Sequence, residues 1–330
     1  MHFEKHLTIY TLKKVWDRIY LSNDAIKPTQ SYSYYKILFH SFYLHIKEHL
    51  RRRIIFHYFK SIDGECIIPL VVYSKKKSLT GISNYQRLDY EDCISSTNNT
   101  SFLKECFKRI TIEYPEYQLN IENINQDNLY YSLFGKQMEL YETCVSIDTG
   151  LDYDSYIASL SKHQRQNIRT AYNKLSNNNF EIRLEKFDKD RPVPNRLWKD
   201  CLRIYDERHQ LPTTGFTWWN HQLNAFTHIL KKAEGWQLNV LFHQNTPIAY
   251  IAGLCSTRQS CYYIPRLCIN NNYKEYSPGI LLLTETIKLQ IKDNIRYVDL
   301  MRGNEPYKTA MGGTHHFNYH LNCMLNDLLH

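Results

Sequence analysis

Six side chains that hold charge or exchange protons are concentrated in one short run, Tyr297-Val-Asp299-Leu-Met-Arg302-Gly303-Asn-Glu305-Pro306-Tyr307-Lys308. Its first half alternates like a strand, and Gly303 and Pro306 stop that strand in an irregular turn. Asp299 and Glu305 are candidate bases or amine-binding carboxylates. Tyr307 is a candidate proton donor, and Arg302 and Lys308 are candidate anion contacts. The carboxyl end of a strand is where α/β sheets commonly bind ligands. A salt-bridged corner with no ligand would use the same residue types.

A second run lies just upstream, Tyr273-Lys-Glu-Tyr276-Ser277-Pro278-Gly279-Ile-Leu-Leu. Ser277 suits an N-cap, Pro278 the first helical position, and Gly279 leaves the helix start uncrowded. Such an end offers N–H donors and partial positive charge to a phosphate. An ordinary capped helix reads the same way. Farther upstream, Ser155–Leu175 has the period of one helix, with Ile157, Leu160, Ile168, Ala171 and Leu175 as its apolar stripe. Lys162, Arg165 and Arg169 fall on another face with no acid between them, which makes them candidate phosphate contacts or a solvated face.

These residues need elements to hold them. In the second half, Trp198–Glu207 and His221–Lys232 read as helices. Leu238–His243 and Ile248–Cys255 read as a hairpin about Gln244-Asn245-Thr246-Pro247, and Cys261–Cys268 as a third strand. Ile280–Ile291 reads as a helix seated on the sheet, and Arg296–Met301 as a further strand. The first half gives the same order: helices at Leu12–Tyr20 and Ile37–Leu50, then a hairpin of Ile54–Tyr58 and Cys66–Tyr73 about Asp63-Gly64. A loop at Gly81–Tyr90, a helix at Ser101–Ile110 and a strand at Leu119–Ile124 follow. Hairpin, strand, helix, strand is the core of an acetyltransferase-type α/β fold, and the halves read as weak copies. The expected division is 1–148 and 149–330.

Composition narrows the class. The chain has 330 residues, 43% of them hydrophobic, enough for a sizeable core. Nine cysteines, odd in number and without a C-x-x-C, suit buried free thiols in a reducing compartment. No apolar run approaches the roughly 18 residues that span a bilayer, so a cytosolic location is expected. The net charge of +8 lies mainly in the second half, where 22 basic side chains face 16 acidic ones. That excess suits an anionic ligand, RNA or plain solubility. His316 and His320 sit four apart in a strand-like run, where that spacing does not focus a metal, and none is expected.

Tyr276-Ser-Pro-Gly-Ile-Leu-Leu followed by Asp299-Leu-Met-Arg-Gly-Asn-Glu-Pro-Tyr-Lys308 closely resembles the BioF2-like/CelD-type acyltransferases of the GNAT superfamily, relatives of the Fem aminoacyl transferases. The run from Tyr156 through Arg165 and Arg169 to Leu175 looks like that family's Leu-Ser-x-x-x-Arg-x-x-Ile-Arg helix. Ile68-Pro-Leu70 and Gly81 through Leu88-Asp89-Tyr90 also look like family features. The resemblance implies a mixed α/β sheet in two tandem GNAT-like domains. It implies acyl-CoA, with acetyl-CoA foremost, as donor, and transfer to an amine or hydroxyl of a small-molecule or sugar-linked acceptor, often in polysaccharide or cell-envelope pathways. The superfamily's Gln/Arg-x-x-Gly-x-Gly phosphate loop is absent, since Tyr273–Gly279 holds one glycine.

On that reading, Ser277, Pro278, Gly279, Arg302, Lys308, Lys162, Arg165 and Arg169 bind the donor, and Asp299, Glu305 and Tyr307 are catalytic. Backbone N–H groups on Cys261–Cys268 polarise the acyl carbonyl. Asp89 and Tyr90 are the substrate-binding candidates in the first half. Two other readings stay open: a Fem-like transferase using aminoacyl-tRNA, and a non-catalytic binding module of the same fold. Trp218-Trp219 suits either a carbohydrate platform or core packing.

Overall fold

The computed structural model describes residues 1–44, 51–84, 88–208 and 231–328. The tryptophan pair Trp218-Trp219, most of the helix expected at His221–Lys232 and the end of the one expected at Ile37–Leu50 lie outside those residues. The chain forms two compact units, one of residues 1–144 with 316–330 and one of residues 145–315. The last fifteen residues thus belong with the first unit, not with the 149–330 half expected from the sequence. The reason is pairing: the chain's last strand is a partner of a first-unit strand from Asn318 to Met324.

The first unit contains β1 (His2–His6), α1 (Lys13–Ser22), α2 (Tyr32–Leu44), β2 (Arg53–Ser61), β3 (Gly64–Tyr73), β4 (Ser78–Thr80), β5 (Ile94–Ser95), α3 (Thr100–Glu113), β6 (Gln118–Asn125), α4 (Leu129–Phe134) and the start of β7 (Met138–Asp148). β2 and β3 form the anticipated hairpin, closed at Ser61↔Gly64. β4 continues antiparallel to β3, and β6 then runs parallel to β4. The helix between them, α3, is capped by the Asn99 side chain, which accepts from the Ser101 and Phe102 N–H groups. Its Phe102, Leu103, Cys106, Phe107 and Ile110 recur every three or four residues and pack on Ile68, Leu70, Leu119 and Ile121. Each such buried side chain contributes about 1.5–3 kcal/mol.

The second unit follows the same plan. It holds α5 (Tyr153–Ser159), α6 (Lys162–Asn177), β8 (Ile182–Phe187), α7 (Asn195–Arg208), β9 (Trp236–His243), β10 (Thr246–Ser256), β11 (Cys261–Ile269), α8 (Pro278–Lys292), β12 (Tyr297–Arg302), α9 (Pro306–Ala310) and the first residues of β13 (Thr314–Met324). β9 and β10 close their hairpin at His243↔Thr246, with Gln244 left-handed at φ 52°. β11 is antiparallel to β10, and β12 is parallel to β11. Three antiparallel strands, a helix and a parallel fourth strand therefore occur in both units.

One expected helix is two. Ser155–Leu175 is broken at Leu160-Ser161, because the Ser161 hydroxyl accepts the Gln164 N–H at 3.1 Å and starts α6 anew. The anticipated stripe is still largely buried at Leu160, Ile168, Ala171 and Leu175, joined by Gln164. All nine cysteines are free thiols, and only Cys255 and Cys323 are not fully buried. Among the described residues, no helix is long and apolar enough to cross a membrane.

Candidate active site

The parallel pair at the centre of the second unit is short. β11 and β12 are partners only at Cys261↔Tyr297, Tyr262↔Val298 and Tyr263↔Asp299. Beyond Tyr263 and Asp299 the pairing stops, although β11 runs on to Ile269 and β12 to Arg302. β11 stays bonded to β10 along its other edge, from Arg266↔Ala252 to Ile269↔Ala249. Among the described residues no strand pairs with β11 along that edge past Tyr263, and Pro265 has no N–H to offer there. The crossover from β11 through α8 to the parallel β12 also places the start of α8 at this same carboxyl end.

A bulge between β10 and β11 marks this region. The register shifts between Ala252 and Leu254, where Gly253 of β10 stands opposite two residues of β11, Ile264 and Pro265. A Cβ on Gly253 would lie 2.4 Å from the Tyr263 carbonyl oxygen and 2.7 Å from the Tyr262 ring. Only glycine fits there, and the bulge bends the strands where the pair separates.

The turn after β12 is built around Lys308. Its side chain is buried, and its Nζ donates to the carbonyls of Arg302 at 2.6 Å and Gly303 at 3.2 Å, with the Met301 carbonyl at 3.5 Å. The Glu305 carboxylate lies 3.0 Å from the same ammonium. Expected as a phosphate contact, Lys308 instead turns inward and clasps the backbone, because the turned strand end leaves carbonyls that need a donor. Gly303 has φ 107°, and a Cβ there would meet the Glu305 carboxylate at 2.4 Å. Asp299 is buried, and its carboxylate accepts the Met301 N–H at 2.7 Å, which stabilises the left-handed Met301. Glu305 and Tyr307 are exposed and Arg302 is half-exposed, so all three reach the solvent from which a ligand would arrive.

Sheet alternation assigns faces. Val298 and Leu300 pack with Tyr262 and Ile264 beneath α8, so Asp299 and Met301 face the other side. The extra residue of β11 shifts its alternation, so that Leu267 and Ile269 join the α8 side and Arg266 lies on the opposite one, buried, with its guanidinium 3.9 Å from the Tyr205 ring centroid on α7. Burial raises the Asp206 carboxyl above the usual range, and the charge of Arg266 opposes that rise. In the sequence the only mark of Arg266 is that it is a lone cation inside the apolar run Cys261–Ile269.

At the start of α8, Ser277 does not cap as expected. It is left-handed, at φ 53°, and its side chain makes no cap bond. Its carbonyl instead accepts the N–H groups of Ile280 at 3.1 Å and Leu281 at 3.2 Å. Pro278 is buried and offers little to a ligand, whereas Gly279 is half-buried. Of the three cations on α6, Lys162 and Arg169 are exposed. Arg165 is not free for phosphate: its guanidinium donates to the Ala158 carbonyl at 2.9 Å and to that of Leu160, closing the end of α5.

In the first unit, Tyr90 has no exposed surface, and the Lys27 ammonium sits 5.0 Å over its ring. A core ring cannot face a substrate, which removes the expected role of Tyr90. Asp89 is half-buried and its carbonyl accepts the Asn318 amide at 2.7 Å. The neighbouring pair is more unusual. Glu91 is buried with its carboxyl pushed up to about 7, mainly by desolvation, against the Ser83 N–H it accepts at 2.7 Å. Asp92 is raised by burial to about 6 while accepting the N–H groups of Cys93, Leu129 and Tyr130. Two adjacent acids in a loop read as solvated, so the sequence held no signal for their burial.

Residues 162–309 match the family model described as an acetyltransferase (GNAT) domain. That domain contains the open parallel pair, the α8 start and most of the Lys308 turn, and the chain is an acyltransferase enzyme of mixed α/β fold that carries a GNAT-type domain over those residues. No curated protein matches it. Among solved structures it is similar to the C-terminal domain (DUF2156) of a candidate lysylphosphatidylglycerol synthetase from Agrobacterium fabrum, at 8% identity and TM-score 0.60, covering 98% of this chain and 95% of that one. It is similar to FemX at 10% identity and TM-score 0.59, covering 99% and 98%. L-PGS from Bacillus licheniformis follows at 12% identity and TM-score 0.55, covering 82% and 84%. At these identities the likeness is one of fold.

Proposed function

We propose that the second unit transfers an acyl group from acyl-CoA, acetyl-CoA foremost, to an amine or hydroxyl of a small-molecule or sugar-linked acceptor. The parting of β11 and β12 after Tyr263 and Asp299 carries this reading, because it opens the sheet beside a helix N-terminus at the carboxyl ends of both strands. In the proposed reaction the thioester carbonyl oxygen lies against the free edge of β11. The Gly279 N–H, with Lys162 and Arg169, takes the donor's phosphates, and Arg302 contacts donor or acceptor. The acceptor's lone pair attacks the acyl carbon, Glu305 removes the acceptor proton, and the carbon–sulfur bond breaks. Tyr307 then protonates the departing thiolate. Asp299, buried and already bonded to the Met301 N–H, braces the turn and lends negative charge rather than acting as the base. Reading the first unit as a second GNAT-like copy rests on its repeat of the strand and helix order, and the BioF2-like branch rests on the run from Tyr276 to Lys308. Asp89 is the substrate contact kept there.

A second reading replaces acyl-CoA with aminoacyl-tRNA. The likeness to FemX over 99% of this chain favours it, as does the basic second half. Thermal denaturation with acetyl-CoA separates the two: a rise in midpoint that grows with ligand concentration supports the first. Product formation that needs charged tRNA and disappears on ribonuclease treatment supports the second. No shift with acetyl-CoA, propionyl-CoA or longer acyl-CoAs refutes the first.

A further inference from the structure

Phe180, in the turn after α6, lies between two other rings. His243, at the end of β9, stacks on one face with centroids 3.5 Å apart and planes at 10°. Tyr276, in the loop before α8, stacks on the other at 4.0 Å and 17°. Tyr273 of the same loop closes in at 5.9 Å. His243 is itself held, with Nδ1 2.9 Å from the Glu181 carbonyl. Lys174 on α6 donates to the Glu275 carbonyl at 2.8 Å, and its ammonium lies 5.7 Å from the Tyr276 ring centroid. The loop entering α8 is therefore fixed from α6 and from the sheet.

Ser277 comes next, and its left-handed backbone has no side-chain bond to support it. A residue with a Cβ adopts that conformation at a steric cost, and keeps it only where its surroundings enforce it. A glycine-rich phosphate loop would adopt such a turn unaided. Between Tyr273 and Gly279 there is one glycine, and it is not at the left-handed position.

We infer that Phe180 is a positioning residue for the donor turn. By holding Tyr276, it keeps Ser277 left-handed and the Gly279 N–H aimed at the donor, enforcing from outside a turn that glycines adopt elsewhere at no steric cost. The inference rests on the donor role given to Ser277–Gly279 above.

Four variants of the full chain test it: Phe180→Ala, Phe180→Trp, Ser277→Gly and the double Phe180→Ala/Ser277→Gly. Amide hydrogen exchange over residues 271–281 and affinity for acetyl-CoA are the readouts. Phe180→Ala is expected to speed exchange in that segment and weaken acetyl-CoA binding about tenfold, the scale of one left-handed penalty. Its kcat at saturating donor should change by less than about twofold, because the chemistry is untouched. Phe180→Trp restacks and stays near the parent. Adding Ser277→Gly to Phe180→Ala recovers most of the affinity, since glycine needs no clamp. Unchanged exchange in Phe180→Ala overturns the inference, and so does an equal loss of affinity with and without Ser277→Gly. Should Phe180→Ala not fold, Phe180→Leu keeps apolar volume without a ring and serves the same comparison. A parent protein that takes no acetyl-CoA refutes the donor reading alone, and the exchange pattern still decides the positioning role.

Discussion

Replacing Lys308 by methionine keeps the length of the side chain and removes its charge. The ammonium is buried and donates to the Arg302 and Gly303 carbonyls at 2.6 and 3.2 Å, so Lys308→Met leaves both oxygens without that donor. A hydrogen bond to a charged group contributes about 1.5–3 kcal/mol. Arg302, Gly303 and Glu305 reach solvent, and water takes up part of what is lost. The Glu305 pair adds little, because that carboxylate is exposed. The net expectation is a loss of about 2–4 kcal/mol, or a midpoint lower by roughly 5–12 °C for a unit of this size. Urea titration followed by the fluorescence of Trp198 and Trp236, both in the second unit, measures it. Hydrogen exchange over 297–311 should quicken as well. A Lys308→Met protein within about 0.5 kcal/mol of the parent, but with weakened acyl-CoA binding, would refute the clasp and restore the phosphate contact.

Three further outcomes follow from the same geometry. Glu305→Gln should lower kcat by about a hundredfold or more with the unfolding midpoint unchanged, as removal of a general base does; a variant with full turnover removes Glu305 from the reaction. Gly253→Ala places a methyl 2.4 Å from the Tyr263 carbonyl, and thermal unfolding should show a loss of about 1–3 kcal/mol or more. Glu91 has its folded carboxyl raised to about 7 from an ordinary 4.5, so its stabilising contribution is complete below pH 4.5 and is lost as pH rises through 7. Glu91→Gln should flatten that decline in first-unit stability, read by hydrogen exchange at Ser83 and Ile94 across pH 5 to 8 with intrinsic-rate correction; an unchanged slope argues against a buried titrating acid.

The residues near one another in the chain decided a good deal of this structure by themselves. Three-and-four spacing of Phe102, Phe107 and Ile110, or of Leu283 and Ile287, is enough to write a helix with one buried face. Asp63-Gly64 and Gln244-Asn245 mark the tight turns of two hairpins. Gly303 and Pro306, in the charged run from Asp299 to Lys308, likewise announced a turn. None of this told which way a side chain would point. Lys308 and Arg165 look like free cations in the sequence, yet one clasps a strand end and the other closes a helix end. Tyr90 looks like a loop residue and is core; Glu91 and Asp92 look solvated and are buried. The final strand joins a partner about two hundred positions earlier, with Asn318 bonded to Asp89 across 229 residues. Periodicity and turn chemistry are properties of a few adjacent residues, so the sequence carries them openly. Burial, the partner of a charge and the pairing of a late strand depend on contacts between distant segments, which exist only once the chain has packed.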